Sequence, residues 1–180
     1  MKLHLGCGKR NFGEGWVHID GGNHEHLHSQ DITALPFEDG AAELVYASHV
    51  LEYFDREEVV DVLKEWKRVL VPEGILRIAV PDFEAMVRLY VEKSTSLEKF
   101  LGPLYGKMDM GDKKIYHKTV YDEYSLKALL FNNGFGDIGL YNWRETEHSH
   151  IDDHSQAYLP HMDKERGTLI SLNIECRKHV

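Results

Sequence analysis

The sequence predicts an α/β fold in which helices cover a mostly parallel β-sheet and the last strand is antiparallel. Three observations predict this class. Short apolar segments alternate with amphipathic segments of helix length, glycine or acidic residues follow several apolar segments directly, and the last apolar segment alternates residue by residue. The 180 residues suffice for one domain with its own core, so we expect a single domain over residues 1–180.

The first two strands are predicted at Lys2–Leu5 and Trp16–Asp20. The first ends in the glycine turn Gly6-Cys7-Gly8, and the second alternates between its two faces. Only residues 9–15 separate that turn from the second strand, whereas a parallel crossover with a full helix needs about ten to twelve residues. We therefore expect the first helix to be trimmed to one turn or an irregular loop.

The middle of the chain contains the clearest helix, predicted at Asp55–Leu70. Asp55 and Glu58 are typical of a capping box, and residues 71–74 are expected to end the helix. One apolar stripe runs along it: Val59, Leu63, Trp66 and Leu70. Buried strands are predicted on either side of this helix, at Leu44–Ser48 and Ile75–Val80, and a weaker strand is predicted to end near Asp31-Ile32.

The second half of the chain is predicted to add two helices and two strands. Residues 94–118 are rich in Gly, Lys and Tyr, and we expect them to form an insertion or lid over a pocket. The last strand should have one wetter face, because polar residues alternate with apolar ones. The predicted elements are helices at Phe83–Glu92 and Asp122–Asn133, a strand at Ile138–Trp143, a long polar loop at His148–Gly167 and a strand at Leu169–Cys176.

Charge and composition exclude several classes of protein. Hydrophobic residues make up 42% and charged residues 28%, which is typical of a folded globular chain rather than a disordered one. A net charge of −9 disfavours nucleic acid as a partner, because the basic clusters are short and are expected to be solvated. Two isolated cysteines favour a reducing, cytoplasmic location, and no segment is expected to enter a membrane.

Residues with binding chemistry follow the predicted strands. Open α/β sheets bind ligands at the carboxyl ends of their strands. Glycines after the first strand allow close approach of a ligand, and Asp20 after the second can accept both hydroxyls of a ribose. Asp31 could accept an adenine amine while the N–H of Ile32 meets a ring nitrogen. The pattern predicts a nucleotide site, with His49 and the two residues after it beside the reactive end.

Five motifs together carry a resemblance to a known family. They are Leu5-Gly6-Cys7-Gly8, Trp16-Val17-His18-Ile19-Asp20, Asp31-Ile32 followed by Leu35-Pro36-Phe37, Ala47-Ser48-His49-Val50-Leu51-Glu52, and residues 70–78. With them the chain resembles the class I S-adenosylmethionine-dependent methyltransferases of the type 11 group. The family often has His after Val-Leu-Glu, where this chain has Tyr53, and Lys9 stands near the place of its third glycine.

The resemblance implies a three-layer Rossmann-like methyltransferase fold with a seven-stranded sheet. It also implies methyl transfer from S-adenosylmethionine, giving S-adenosylhomocysteine, to a small molecule or a glycan or lipid precursor. The implied cofactor-binding residues are Gly6, Cys7 and Gly8 for the methionine part, Asp20 for the ribose, Asp31 and Ile32 for the adenine, and Ser48, His49 and Leu51 in the inner wall.

Two histidines are the candidate catalytic residues. The donor is already activated, so the protein mainly supplies orientation and a dry pocket. A hydroxyl acceptor would also need a base with a pKa near neutrality, which is typical of His. We expect His49 or His117 in this role and Asp152 or Asp153 as weaker candidates. Residues 116–119 and 152–154 are expected to line the acceptor side.

Three other functions stay open at this stage. Clustered histidines at His24–His28 and His148–His161 suggest a metal-binding protein, although the chain has no cysteine pair and no HExxH motif, so we predict no metal site. A nicotinamide-dependent oxidoreductase would need three spaced glycines and an acidic residue farther from the first glycine than Asp20. A catalytically silent relative that binds a nucleotide is the third.

Overall fold

A computed structural model describes residues 1–111 and 113–179, so Asp112 inside the predicted insertion and Val180 lie outside the described residues. The strands are β1 (Lys2–Leu5), β2 (Trp16–Ile19), β3 (Leu27–Ser29), β4 (Ala42–Ser48), β5 (Leu70–Pro81), β6 (Met108–Asp109), β7 (Lys114–Ile115), β8 (Phe135–Leu140), β9 (Tyr158–Leu159), β10 (Thr168–Leu169) and β11 (Ser171–Lys178). The α-helices are α1 (Glu58–Val69), α2 (Phe83–Glu92), α3 (Glu98–Tyr105) and α4 (Glu123–Asn132).

Seven of these strands form the central sheet, in the order β3-β2-β1-β4-β5-β11-β8. Neighbouring strands from β3 to β5 are parallel, and β11 runs antiparallel to both of its neighbours. Leu5 pairs with Ile19 on one side and with Ala47 on the other, so the carboxyl ends of β1, β2 and β4 meet at one edge. The predicted mostly parallel sheet with an antiparallel last strand is confirmed.

The connection between β1 and β2 contains no helix in residues 6–15, all of which are described. Phe12 turns inward from this loop and stacks on His4 of β1 at a centroid distance of 3.9 Å. The prediction of a trimmed first crossover is therefore confirmed, and an aromatic side chain covers the strand at this point.

The predicted capping box before α1 is present. The Oδ1 of Asp55 accepts a hydrogen bond from the N–H of Glu58, and the Oε2 of Glu58 accepts one from the N–H of Asp55, both at 2.9 Å. Regular helix begins at Glu58, later than predicted, because residues 56 and 57 form a turn inside the box. The helix ends at Val69, one residue before the predicted end, and residues 71–74 belong to β5, which begins at Leu70 directly after the helix.

The end of the chain departs further from the prediction. β8 begins at Phe135 rather than Ile138, and Trp143 belongs to a short 3₁₀ turn at 143–145. The expected wetter face of the last strand holds at Glu175, which is partly exposed, but not at Ser171 and Asn173, which are buried. Residues 148–167 were expected to be a solvated loop, but their buried members cover the sheet: His148, Asp153, Ser155, Gln156 and Tyr158.

The two faces of the central sheet differ in chemistry. The apolar face carries Leu3, Leu5, Val45, Ala47, Leu76 and Ile78, and it packs against the buried side chains of α1 and α4. The polar face carries His18, His4, Tyr46, Arg77 and Glu175, which the strand registers place in one row across five strands. The core therefore lies between the apolar face and these two helices.

Candidate functional site

A cavity of about 500 Å³ opens at the carboxyl ends of β1, β2 and β4. This volume lies within the range of roughly 300–1,000 Å³ that is usual for small-molecule sites. The cavity brings together five of the residues that the sequence predicts for the site: Gly6, Asp20, Ile32, His49 and His117.

The glycine turn contributes Gly6 to the wall of the cavity, whereas Cys7 and Gly8 are not among the lining residues. Gly6 and Gly8 have φ angles of +65° and +56°, in the left-handed region that favours glycine. A Cβ atom at Gly6 would lie 2.2 Å from the Cγ2 of Val50, so no larger residue fits there. Nothing lies within 4 Å of the corresponding position at Gly8, which leaves its backbone open to a ligand.

Cys7 is fully buried between these glycines. Its Sγ lies 3.4 Å from the carbonyl oxygen of Gly8 and 3.7 Å from the Nε2 of His26. Burial raises the pKa of the Cys7 thiol to about 12, so the thiol is protonated at neutral pH.

Asp20 follows β2 and is held in place by the backbone of two loops. Its Oδ2 accepts a hydrogen bond from the N–H of Gly8 at 2.8 Å, and its Oδ1 accepts one from the N–H of Gly22 at 2.7 Å. A carboxylate oxygen has two lone pairs, so each oxygen keeps one for a further donor. Asp20 thus presents a fixed double acceptor to the cavity.

Asp31 and Ile32 lie beyond β3 and point in different directions. Ile32 lines the cavity, and its carbonyl oxygen accepts a hydrogen bond from the Nε1 of Trp66 at 2.8 Å. The Oδ1 of Asp31 instead accepts hydrogen bonds from the Oγ1 and the N–H of Thr33, which lower the pKa of this exposed carboxyl. Asp31, unlike Ile32, is therefore not among the residues that line the cavity.

The segment after β4 divides between the cavity and the core. His49 lines the cavity with a φ of +54°, whereas Leu51 is fully buried in the apolar core. Ser48 is also buried, and its Oγ has no hydrogen-bond partner among the described residues. Of the residues expected beside the reactive end, His49 and Val50 line the cavity.

His49 and His117 come together around a third group, Glu52. The Nδ1 of His49 and the Nε2 of His117 each lie 3.6 Å from the Oε1 of Glu52. Burial raises the pKa of Glu52 to about 8 and lowers the pKa of both histidines. The sequence contained one signal for this group, namely an acidic residue inside the apolar run that follows β4.

Residues from 108–110 and 114–118 also line the cavity. Met108, Met110 and Ile115, from the β6–β7 hairpin and its turn, contribute apolar side chains, and Tyr116 and Lys118 follow them. The N–H of Lys118 donates to the carbonyl oxygen of Glu52 at 2.8 Å, and its Nζ pairs with Glu58 at 2.6 Å. These bonds join the hairpin to the segment that follows β4.

The acidic residues near position 152 lie elsewhere. Asp153 is buried, and its Oδ2 accepts a hydrogen bond from the hydroxyl of Tyr46 at 2.5 Å. Asp152 pairs with Lys164 at 2.6 Å, outside the residues that line the cavity. Only His154 approaches the site, with its ring centroid 5.2 Å from that of His49.

The described residues contain no group of three or more His, Cys, Asp or Glu side chains arranged to hold a metal ion. His24 and His26 stack on each other, whereas His28 stacks on Phe37. Among the same residues, no helix has both the length and the apolar character needed to cross a bilayer.

A family model described as a methyltransferase domain matches residues 14–78. This match confirms the resemblance to the type 11 group over the segment that contains β2 to β5, including Asp20, Ile32 and His49. No curated protein sequence matches the chain.

Solved structures share the whole fold at low identity. An S-adenosylmethionine-dependent methyltransferase from Methanosarcina mazei has a TM-score of 0.57 and 16% identity over 99% of this chain and 92% of its own. One from Archaeoglobus fulgidus has the same TM-score and the same identity, over 98% of this chain and 85% of its own. The 1,6-didemethyltoxoflavin-N1-methyltransferase of Burkholderia thailandensis, solved with S-adenosylhomocysteine, has a TM-score of 0.56 and 12% identity over 99% and 71%. These likenesses establish the fold.

Proposed function

With the methyltransferase-domain match and the shared fold as premise, we propose that this chain transfers a methyl group from S-adenosylmethionine to a small acceptor. One observation carries the proposal: Gly6, Asp20, Ile32 and His49, which come from four separate segments, line a single cavity at the carboxyl edge of the sheet. The acceptor is a small molecule or a glycan or lipid precursor, which suits a cavity of about 500 Å³.

The residues present fit the donor. Asp20 keeps a free lone pair on each carboxylate oxygen for the two ribose hydroxyls, and Ile32 offers an apolar contact to the adenine. The open backbone at Gly8 suits the methionine part. S-adenosylmethionine supplies a methyl group on a positively charged sulfur, so the chain itself need only orient the donor and acceptor and exclude water.

Binding of S-adenosylhomocysteine tests the donor site. We expect isothermal titration calorimetry to show binding of S-adenosylhomocysteine and not of NAD. Asp20→Asn should weaken binding by about ten-fold or more, because it removes the charge from the hydrogen bonds to the ribose. Asp61→Asn, at an exposed position of α1, is the matched control and should bind like the parent.

Asp20 also orders the loops at Gly8 and Gly22, so a melting curve of each free variant must accompany the titration. Wild-type protein that binds NAD but not S-adenosylhomocysteine would overturn the proposal. Transfer of labelled methyl from S-adenosylmethionine to a panel of small hydroxyl and amine acceptors then separates an active enzyme from a silent nucleotide-binding relative.

The proposal gives residues 94–118 the role of a lid over the acceptor end. Met108 and Met110 line the cavity from this segment. Replacing both with alanine should speed the release of S-adenosylhomocysteine in stopped-flow experiments, and an unchanged release rate would argue against a lid.

We also propose a cytoplasmic location, which the two free, buried cysteines favour. Recovery of the protein from a non-cytoplasmic fraction would contradict this location.

A further inference from the structure

Glu52 occupies an unusual position for an acidic side chain. It is fully buried behind His49 and His117, and neither of its carboxyl oxygens has a hydrogen-bond partner among the described residues. Its backbone carbonyl oxygen accepts from the N–H groups of Lys118 and Thr119, which holds the residue against the segment that lines the cavity. A buried carboxyl with no partner carries a high desolvation cost, so its protonation state needs an explanation.

The first histidine is oriented by a backbone carbonyl. The Nδ1 of His117 lies 2.9 Å from the carbonyl oxygen of Pro103. A carbonyl oxygen only accepts hydrogen bonds, so Nδ1 carries the proton. In the neutral ring the other nitrogen, Nε2, then has a lone pair, and this is the nitrogen that lies 3.6 Å from Glu52.

The second histidine is oriented through a chain of side chains. The Nδ2 of Asn173 donates to the carbonyl oxygen of Ser155, so its Oδ1 is free to accept from the hydroxyl of Ser171 at 2.9 Å. The hydroxyl proton is used in that bond, so the Ser171 oxygen accepts from the Nε2 of His49 at 3.0 Å. The Nδ1 of neutral His49 therefore also presents a lone pair to Glu52.

Two lone pairs thus face one carboxyl group. An ionised Glu52 would repel both ring nitrogens, whereas a protonated Glu52 can donate to either. Burial favours the same state, because it raises the pKa of Glu52 to about 8 and lowers the pKa of both histidines. The other groups near this cluster are Tyr53 and Tyr121 beside Glu52, and His154 and Arg10 beside His49.

We infer that Glu52 is a positioning residue that holds one proton between His49 and His117, and that this neutral cluster takes up the proton of a protic methyl acceptor. The inference rests on the proposed function. The acceptor is then a hydroxyl or a protonated amine rather than a carbon or a thioether.

The proposed step balances. A hydroxyl attacks through an existing lone pair as its proton leaves, whereas a protonated amine first gives up one proton, and the electrons of that N–H bond become the attacking lone pair. The lone pair forms a bond to the methyl carbon, and the carbon–sulfur bond breaks with its electrons moving to sulfur. The acceptor proton moves to the Nε2 of His117, and the proton of Glu52 moves to the Nδ1 of His49. A carboxylate then lies between two imidazolium rings. The positive charge lost by the sulfur is thereby gained by the cluster, and the total charge of the site is unchanged.

Nuclear magnetic resonance of the full chain tests the assignment without any acceptor. With ¹⁵N-labelled histidine and ¹³C-labelled glutamate, we expect neutral rings at pH 7, with the proton on Nδ1 of His117 and on Nε2 of His49. The carboxyl carbon of Glu52 should titrate with a midpoint near pH 8. The ¹⁵N chemical shifts of both histidine rings should change near pH 8 in the wild type, and this change should disappear in Glu52→Gln. It should remain in the control Glu57→Gln, at an exposed position of the same segment.

Two results would overturn the inference: an ionised Glu52 at pH 6, or a proton on Nε2 of His117. Because the wild-type spectrum alone decides both points, a variant that fails to fold does not obstruct the test. Binding of S-adenosylhomocysteine is measured on the same samples. A wild-type chain that binds none overturns the proposed function and the catalytic use of the cluster with it, whereas binding together with an ionised Glu52 overturns only the inference.

Discussion

Both faces of the central sheet are covered, but by different kinds of side chain. On the apolar face, Leu5 and Ala47 pack under α1 and α4, and burial of hydrocarbon supplies the stabilisation. On the polar face, His4 stacks on Phe12 at 3.9 Å, and Phe12 stacks on His148 at 4.3 Å. The difference shows that loops can cover a sheet where a crossover helix is missing, provided that their side chains are aromatic or hydrogen-bonded.

Several polar groups of the polar face form hydrogen bonds or ion pairs with partners that are distant in sequence. Tyr46 donates to Asp153, which also accepts from the N–H and hydroxyl of Ser155. Arg77 pairs with Glu175 across β5 and β11. Such networks stabilise a fold when complete but are costly when one partner is lost, so the two faces should respond differently to substitution and to pH.

The largest effect is expected on the apolar face. Leu63→Ala removes a fully buried side chain of α1 and leaves a cavity in the core, so the free energy of unfolding should fall by about 2–5 kcal/mol. Urea denaturation measures this change. The matched control is Leu140→Ala, whose side chain is 61% exposed and whose replacement should have little effect. Equal losses in both variants would contradict the assignment of the core.

A smaller loss in the free energy of unfolding is expected when one hydrogen-bond partner is removed from the polar face. Tyr46→Phe keeps the ring but removes the hydroxyl that donates to the buried Asp153, which should cost about 1–3 kcal/mol in urea denaturation. Tyr124→Phe, at an 83% exposed position, provides the comparison. If Tyr46→Phe were neutral, the hydrogen-bonded network would not be what stabilises this face.

The polar face should also contribute a dependence of stability on pH. Burial lowers the pKa of His148 to about 4, so the folded state keeps this ring neutral while the unfolded chain protonates it below its ordinary value of 6.5. The unfolded state then binds more protons, and stability should fall as pH drops from 6.5 towards 4, by less than about 1.4 kcal/mol per pH unit.

His148→Gln should reduce the loss of stability between pH 6.5 and 4, whereas His24→Gln, at an exposed position, should leave this loss unchanged. Thermal melts between pH 4 and 7.5 measure both variants. If the wild type and both variants lost the same stability as the pH fell, His148 would not contribute to the pH dependence.

Parts of the candidate site were predictable because the edge of a parallel sheet collects the residues that follow each strand. Gly6, Asp20, Ile32 and His49 were placed together on that reasoning, and they line one cavity. Leu51 and Ser48 were expected beside them but are buried, Leu51 in the 3₁₀ turn at 51–53 and Ser48 at the end of β4. Glu52 was not predicted as a site residue, because its place inside an apolar run does not show which groups it faces once the chain has folded.

The second half of the chain was harder to predict, because its partners are distant in sequence. Asp153 was expected to be near the acceptor, but Tyr46 binds it from the polar face of β4. His117 lies near Glu52 because the chain returns towards Glu52 after α3. The N–H of Lys118 donates to the carbonyl oxygen of Glu52, and the Nδ1 of His117 donates to the carbonyl oxygen of Pro103.

Local patterns determined the strands, the capping box of α1, the trimmed first crossover and the edge at which the site lies. These depend on residue spacing and on backbone geometry within a few residues. The tertiary structure alone decided which buried groups face each other: Glu52 between two histidines, and Tyr46 against Asp153. Protonation and hydrogen bonding depend on burial and on contacts across the sheet, and such contacts exist only once the chain has folded.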